Sequence, residues 1–165
     1  MVEIITTELD IFHTIAEEIK KQFKLDIHSL HGISHWERVR KIGFYLAATT
    51  EADFRVVNLF SLLHDSQREN EDYDPNHGFR AGEYVQILFT SGFLPLDQKQ
   101  LDQLKYACLH HSERNAQSDD ITIQTCWDAD RLDLCRLGII PDNKFLYTEV
   151  GKRKEAIDFA LQLLN

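Results

Sequence analysis

His64 and Asp65 close an apolar run, Phe60-Ser-Leu-Leu, with two side chains that both coordinate divalent cations well. Read as a helix, Val57, Phe60 and His64 share one stripe, with Ser61 beside it, so the imidazole faces the interior. Asp65 lies a little further round, and both groups can reach one inward point near the helix end. Such a pair on a buried face is costly unless something compensates it, and a bound cation would do so. Taken alone, a helix end that simply turns polar has the same appearance. Two further residues decide between these readings. His35 heads an otherwise apolar stripe of Val39, Ile42 and Leu46, and Asp130 falls on a ridge with Trp127, Leu134 and Leu137. Alone, the first would pass for a satisfied core histidine and the second for a buried acid paired with an arginine. Together, His35, His64, Asp65 and Asp130 place four ligand-type side chains inward from three helices. A helical core suits a metal site of that kind, because rigid elements fix the ligand geometry.

The elements that must position these residues follow from apolar periodicity. Thr6 or Thr7 can cap a first helix to about Lys24, with Leu9, Phe12, Ile15 or Ala16, and Ile19 inward. A second begins at Ser34 or Ser29 and runs to about Thr49, and a third spans roughly Ala52 to Ser66. After a polar loop with an Asp74-Pro75 turn signal, His77 opens a fourth to about Thr90, where Gly78 and Gly82 permit close backbone approach. Asp97 caps a fifth, whose stripe of Leu101, Leu104 and Cys108 carries His111 inward and leaves His110 one step off. A sixth runs from Ile121 to about Leu137, ended by Gly138 and Pro141. A final amphipathic helix covers 153–164, and Lys152-Arg153-Lys154 reads as a solvated face. No segment alternates convincingly with period two. The expectation is an all-α, single-domain bundle of about seven helices over residues 1–165.

Composition narrows the partners. Of 165 residues, 43% are hydrophobic and 27% charged, ordinary values for a globular protein. A net charge of −9 argues against a nucleic-acid polymer or an anionic membrane as partner. Cys108, Cys126 and Cys135 are odd in number and lack CxxC spacing, which suits reduced thiols. Glu3, Glu8 and Asp10 interrupt any signal-peptide core, and no apolar run approaches the ~20 residues that span a bilayer. A cytoplasmic location is expected. Phe145 and Tyr147, read as exposed aromatics, are too few to argue for a dimer.

The motifs HGISHWERV (His31–Val39), LLHDS (Leu62–Ser66), HGFRAG (His77–Gly82), HHS (His110–Ser112) and DADRLDL (Asp128–Leu134) occur in this order over about 31–134. In that arrangement the chain resembles the HD superfamily of metal-dependent phosphohydrolases, and looks closest to its small single-domain bacterial members. The resemblance implies that His35, His64, Asp65 and Asp130 bind the metal, with Asp130 rather than Asp128 as the ligand of DADRLD. Some members hold two metals through extra histidines. His77 with His110 or His111 could fill those places, although His77 follows His64 more closely than in two-metal cyclic-dinucleotide phosphodiesterases. Substrate contact or support of the ligands is the reading preferred for them.

Two histidines and two carboxylates suit Mn, Fe, Co, Ni or Zn, and Mg can also serve. Such an ion acidifies bound water and polarises a phosphoryl oxygen, so the expected reaction is hydrolysis of a phosphate ester or anhydride of a small metabolite, a nucleotide among the candidates. Asp65, His31 and Arg68 are the expected catalytic groups, His31 as a phosphate contact or proton carrier. Arg38, Arg131 and Asp133 are candidates for substrate contact or support, with Arg68 the first choice for phosphate because it follows the metal pair directly. In place of the Glu that some HD nucleotidases carry four positions after the motif histidine, this chain has Arg68. Glu69, Asp72 or His77 would then have to serve as base, or none is needed. The competing readings are an HD-fold di-iron oxygenase and a non-catalytic binding module. The intact ligand set argues against the latter.

Overall fold

A computed structural model describes residues 7–165. Thr6, the alternative first cap, and Glu3 lie outside them. Among the described residues there are seven α-helices: α1 (Glu8–Lys20), α2 (Ile33–Thr50), α3 (Phe54–Leu63), α4 (His77–Thr90), α5 (Gln98–His110), α6 (Ile121–Leu132) and α7 (Lys154–Gln162). Short 3-10 turns follow α6 at Asp133–Leu137 and occupy Asn143–Phe145. Among the described residues there is no strand, and no helix is long and apolar enough to cross a membrane. The protein is all-α.

At the centre lies α3, whose residues Val56–Leu63 are all buried. A helix apolar on every side needs neighbours on every side, and α1, α2, α5 and α6 all pack against it. The strongest contacts of α4 are to α5, forming a hairpin set on the core, and α7 lies across α2 and α6. Side-chain caps start the helices where the sequence offers them. Thr7 and Asp97 form capping boxes with Asp10 and Gln100, and Asp53 and Asp120 accept backbone N–H groups at the starts of α3 and α6.

Several boundaries differ from the sequence expectations for local reasons. The first helix ends at Lys20, and Leu9 is 49% exposed, with Ile11 taking the inward place next to Phe12. Neither Ser29 nor Ser34 caps α2. Its cap is Gly32, at which a Cβ would collide with the carbonyl of Ile27, so the backbone passes too close for any side chain. The third helix is regular only to Leu63, although His64 keeps helical angles and its N–H still bonds the Phe60 carbonyl. The ridge expected along α6 fails past Leu134, because the chain tightens into a 3-10 turn and Leu137 is left 45% exposed. Phe145 and Tyr147 are partly buried rather than exposed. Tyr147 packs on Trp127 and donates to the Ala116 carbonyl.

The α4–α5 contact depends on one glycine. A Cβ on Gly78 would stand 2.6 Å from the Leu109 carbonyl oxygen and 2.9 Å from that of Cys108, whereas at Gly82 the nearest atom is 3.6 Å away. Gly78→Ala should therefore lower unfolding free energy by about 1–3 kcal/mol. Gly82→Ala should be neutral or stabilising by up to about 1 kcal/mol. Urea titration of the two variants checks the difference.

Candidate metal centre

Six side chains from five elements meet at one end of α3. His35 comes from the first turn of α2, His64 and Asp65 from the end of α3, and His77 from the first residue of α4. His111 caps the end of α5, and Asp130 belongs to the last turn of α6. All but Asp130 are buried; its side chain is 21% exposed.

Each of the four histidines is oriented the same way. Its Nδ1 faces an oxygen: Asp133 Oδ2 at 2.7 Å for His35, the Phe60 carbonyl at 2.9 Å for His64, the Asp74 carbonyl for His77, and the Cys108 carbonyl at 2.7 Å for His111. The carbonyl partners can only accept, and Asp133 is a carboxylate, so Nδ1 carries the proton and Nε2 turns inward with its lone pair. In the first half of the site, Nε2 of His35 and of His64 are 3.0 Å apart. Asp65 Oδ2 lies 3.5 Å and 3.6 Å from them, and Asp130 Oδ1 3.4 Å from both. Ligands held ~2.1 Å from a common ion would be separated by ~3.0–3.4 Å. In the second half, Asp65 Oδ1 lies 3.3 Å from Nε2 of His77 and 3.4 Å from that of His111, and the two nitrogens are 2.9 Å apart. Facing lone pairs at such distances repel unless a proton or a cation lies between them. The overlapping groups His35–His64–Asp130 and His64–Asp65–His111 are both close enough to hold an ion.

The charges fit that reading. Burial opposes the His64 cation, but the Asp65 and Asp130 carboxylates outweigh it and raise its pKa to about 9. Burial likewise opposes ionised Asp65 and Asp130. The His64 cation, with His111 on Asp65 and His35 on Asp130, holds both well below the usual carboxylate range. His77 goes the other way, pushed down to about 4 by burial and by His111, so it is neutral at physiological pH.

The supporting residues divide clearly. Asp133 receives a forked contact from Arg38, 2.7 Å from Nε and 3.2 Å from Nη2, which commits Arg38 away from any substrate. Arg131 is also committed, bonding the Phe145 and Glu113 carbonyls and stacking over Tyr147. Of the three arginines, Arg68 is the one beside the cluster. Its Nη1 is 3.3 Å from His77 Nε2 and 3.6 Å from Asp65 Oδ1, and the carbonyls of Asn70 and Asp72 hold its other nitrogens. His110 turns away, with Nδ1 on Glu113 and its ring on Tyr106. Among the candidate bases, Glu69 pairs with Lys24 and Asp72 is exposed. Only His77 of that trio borders the centre. Asp128 faces elsewhere, accepting from Tyr147 N, Thr148 N and Thr148 Oγ1 to pin the late loop.

His31 lies one turn before His35, their ring centroids 6.3 Å apart, and its Nδ1 bonds Glu71. Burial lowers its pKa against the pull of Asp65 and Glu71. Sequence reasoning did not single out Glu71, because it sits in an irregular polar loop where no periodicity assigns a facing. Asp74, whose carbonyl holds His77 while its carboxylate takes Arg80, was missed for the same reason.

One solved structure is similar over most of the chain. It is described as a predicted HD superfamily hydrolase from an uncultured Thermotogales bacterium. The two are 26% identical, with a TM-score of 0.65, and the match covers 91% of this chain and 83% of that one. No family model and no curated protein matches the sequence.

Two outcomes follow from the anchoring and the charges. Asp133→Asn, which weakens the hold on His35, should reduce divalent-metal affinity about 10–100-fold in competition with a chromophoric chelator. Because a ligand imidazole must be neutral, metal binding must displace the His64 proton. Affinity should therefore rise with pH up to about 9 and flatten above it. Calorimetric titration in buffers of different ionisation enthalpy should register the released proton.

Proposed function

This chain has the HD-domain fold, and on that premise we propose that it is a metal-dependent phosphohydrolase acting on a phosphate ester or anhydride of a small metabolite. The observation that carries this reading is that His35 Nε2 and His64 Nε2 lie 3.0 Å apart, with a carboxylate oxygen of Asp65 and one of Asp130 each 3.4–3.6 Å from both nitrogens. Two imidazoles and two carboxylates fit Mn, Fe, Co, Ni or Zn, with Mg as a harder alternative. When bound, such an ion supplies acidified water and polarises a phosphoryl oxygen.

The chain's own groups provide the rest. Arg68, held by two loop carbonyls, keeps a cationic edge at the centre where phosphoryl charge would develop. The His31–Glu71 pair is suited to proton transfer, since a neutral imidazole backed by a carboxylate can accept a proton and return it. Asp133 orients His35, and Asp65 is shared between the two halves of the site.

The sharing of Asp65 also supports a second reading. With His77 and His111 as ligands the centre would be dinuclear, which a two-metal phosphohydrolase and a di-iron oxygenase both require. Arg68 beside that second half disfavours a further cation there, so one ion with a cationic arginine is the preferred composition.

Purified without added metal, the protein should carry stoichiometric transition metal by elemental analysis and release phosphate from p-nitrophenyl phosphate or a nucleotide. Asp65→Ala should lower kcat/KM by at least about a hundredfold. A pair of irons per chain with no phosphate release would favour the oxygenase. Absence of metal and turnover under every supplied cation would overturn both.

A further inference from the structure

The outer face of the α4–α5 hairpin, turned away from α3, leaves apolar side chains in water. Phe79 and Ile87 of α4 are 58% and 60% exposed and share one outward stripe with Glu83 between them. Tyr106, 39% exposed, and the partly buried Leu109 face outward from α5 beside them. Between the helices runs a groove of about 240 Å³ floored by Gly82, with Phe79, Tyr106 and Leu109 along it and Glu83, Asp102 and Lys105 at its rim. The close approaches of the backbones fix which residues are level. Gly78 lies against the Leu109 carbonyl and Gly82 against the Lys105 carbonyl, so Phe79 is level with Leu109 and Glu83 with Lys105. Charge is split between the helices. Among the described residues Glu83 on α4 forms no ion pair, and Lys105 on α5 donates only to the neutral Gln86 amide, at 2.8 Å. Asp102 accepts from Gln98.

We infer that this face is a self-association surface, covered by the same face of a second copy of this chain. A two-fold axis running along the groove lays α4 of one copy on α5 of the other. Because Glu83 and Lys105 are level, each Glu83 then meets Lys105 of the second copy, and each Phe79 meets its Leu109 and Tyr106 side. An axis across the helices would stack α4 on α4 and set Glu83 against Glu83, which like charge disfavours. The face therefore complements itself in one arrangement and not in the other. At 1.5 Å per residue, helices of 14 and 13 residues are about 20 Å long, and two side by side are about 20 Å across. That footprint is at the smaller end for specific interfaces, so a dissociation constant in the micromolar range is expected. A second copy also gives α4, which otherwise packs mainly on α5, a further neighbour. The inference rests on this surface alone and is independent of the hydrolase reading.

Sedimentation velocity of the purified protein, run across the micromolar range, reads the association directly. Wild type should pass from monomer to dimer as its concentration rises. Glu83→Lys and Lys105→Glu, each alone, should weaken the dimer about tenfold or more, since each sets like charges opposite one another twice per interface. An equimolar mixture of the two variants should associate as wild type does, because in the mixed pair every acid again faces a base. Restoration on mixing also excludes misfolding as the cause of either loss. A wild type that stays monomeric at every concentration would overturn the second copy as occupant. So would a dimer that neither charge reversal weakens, or two weakened variants that fail to restore association when mixed.

Discussion

Everything at this centre depends on how the imidazoles are held from behind. Four histidines turn Nε2 to one place because a carbonyl or a carboxylate fixes each Nδ1. Three of the four anchors are main-chain carbonyls left without helical partners, or shared with them, at helix ends and turns. The orientation of the ligands is thereby written into the backbone. Only His35 takes its anchor from a side chain, and Asp133 is itself clamped by Arg38 and approached by Arg136. That arrangement is expensive without a cation: two carboxylates and four imidazoles share a largely buried region. A proton on His64, whose pKa the Asp65 and Asp130 carboxylates raise to about 9, offsets part of that cost.

Asp65 divides the centre into unequal halves. Its Oδ2 faces His35 and His64, and its Oδ1 faces His77 and His111. The first half adds a second carboxylate, Asp130, while the second half adds a guanidinium, Arg68. Coulomb's law then ranks them, since a cation in the first half meets two anions and in the second meets one anion and a fixed positive charge. An acidic chain thereby carries a locally cationic edge beside the centre.

How much of this the sequence disclosed depended on whether a residue lay on a regular helix. His35, His64 and His111 were legible because each continues an apolar stripe at helical spacing. Asp130 was chosen over Asp128 by the same phase, and the two carboxylates do face opposite ways. The all-α architecture and the order of the helices were equally readable. What periodicity could not reach lay in turns. The tight 3-10 segment after α6 spoiled the ridge at Leu137, and the loop between α3 and α4 hid Glu71 and Asp74. For Arg38 and Arg131 the sequence left substrate contact and support both open, because an arginine's partner is set by tertiary distance, not by spacing.

The two halves also differ in what supports them. His35, His64 and Asp130 ride on α2, α3 and α6, which pack against one another in the core. His77 and His111 ride on the α4–α5 hairpin, in which α4 has its main contacts with α5 alone. The register of that hairpin decides whether the second pair meets Asp65, and Gly78, one residue after His77, sets it by letting α4 touch the Cys108 and Leu109 carbonyls. The Cys108 carbonyl is also the anchor of His111. That close backbone contact places His77 against His111, whose own helix α5 packs on α3 and α6 in the core. Of the six side chains, His77 is the one whose position a change in the packing of α4 would alter first, because α4 has its main contacts with α5.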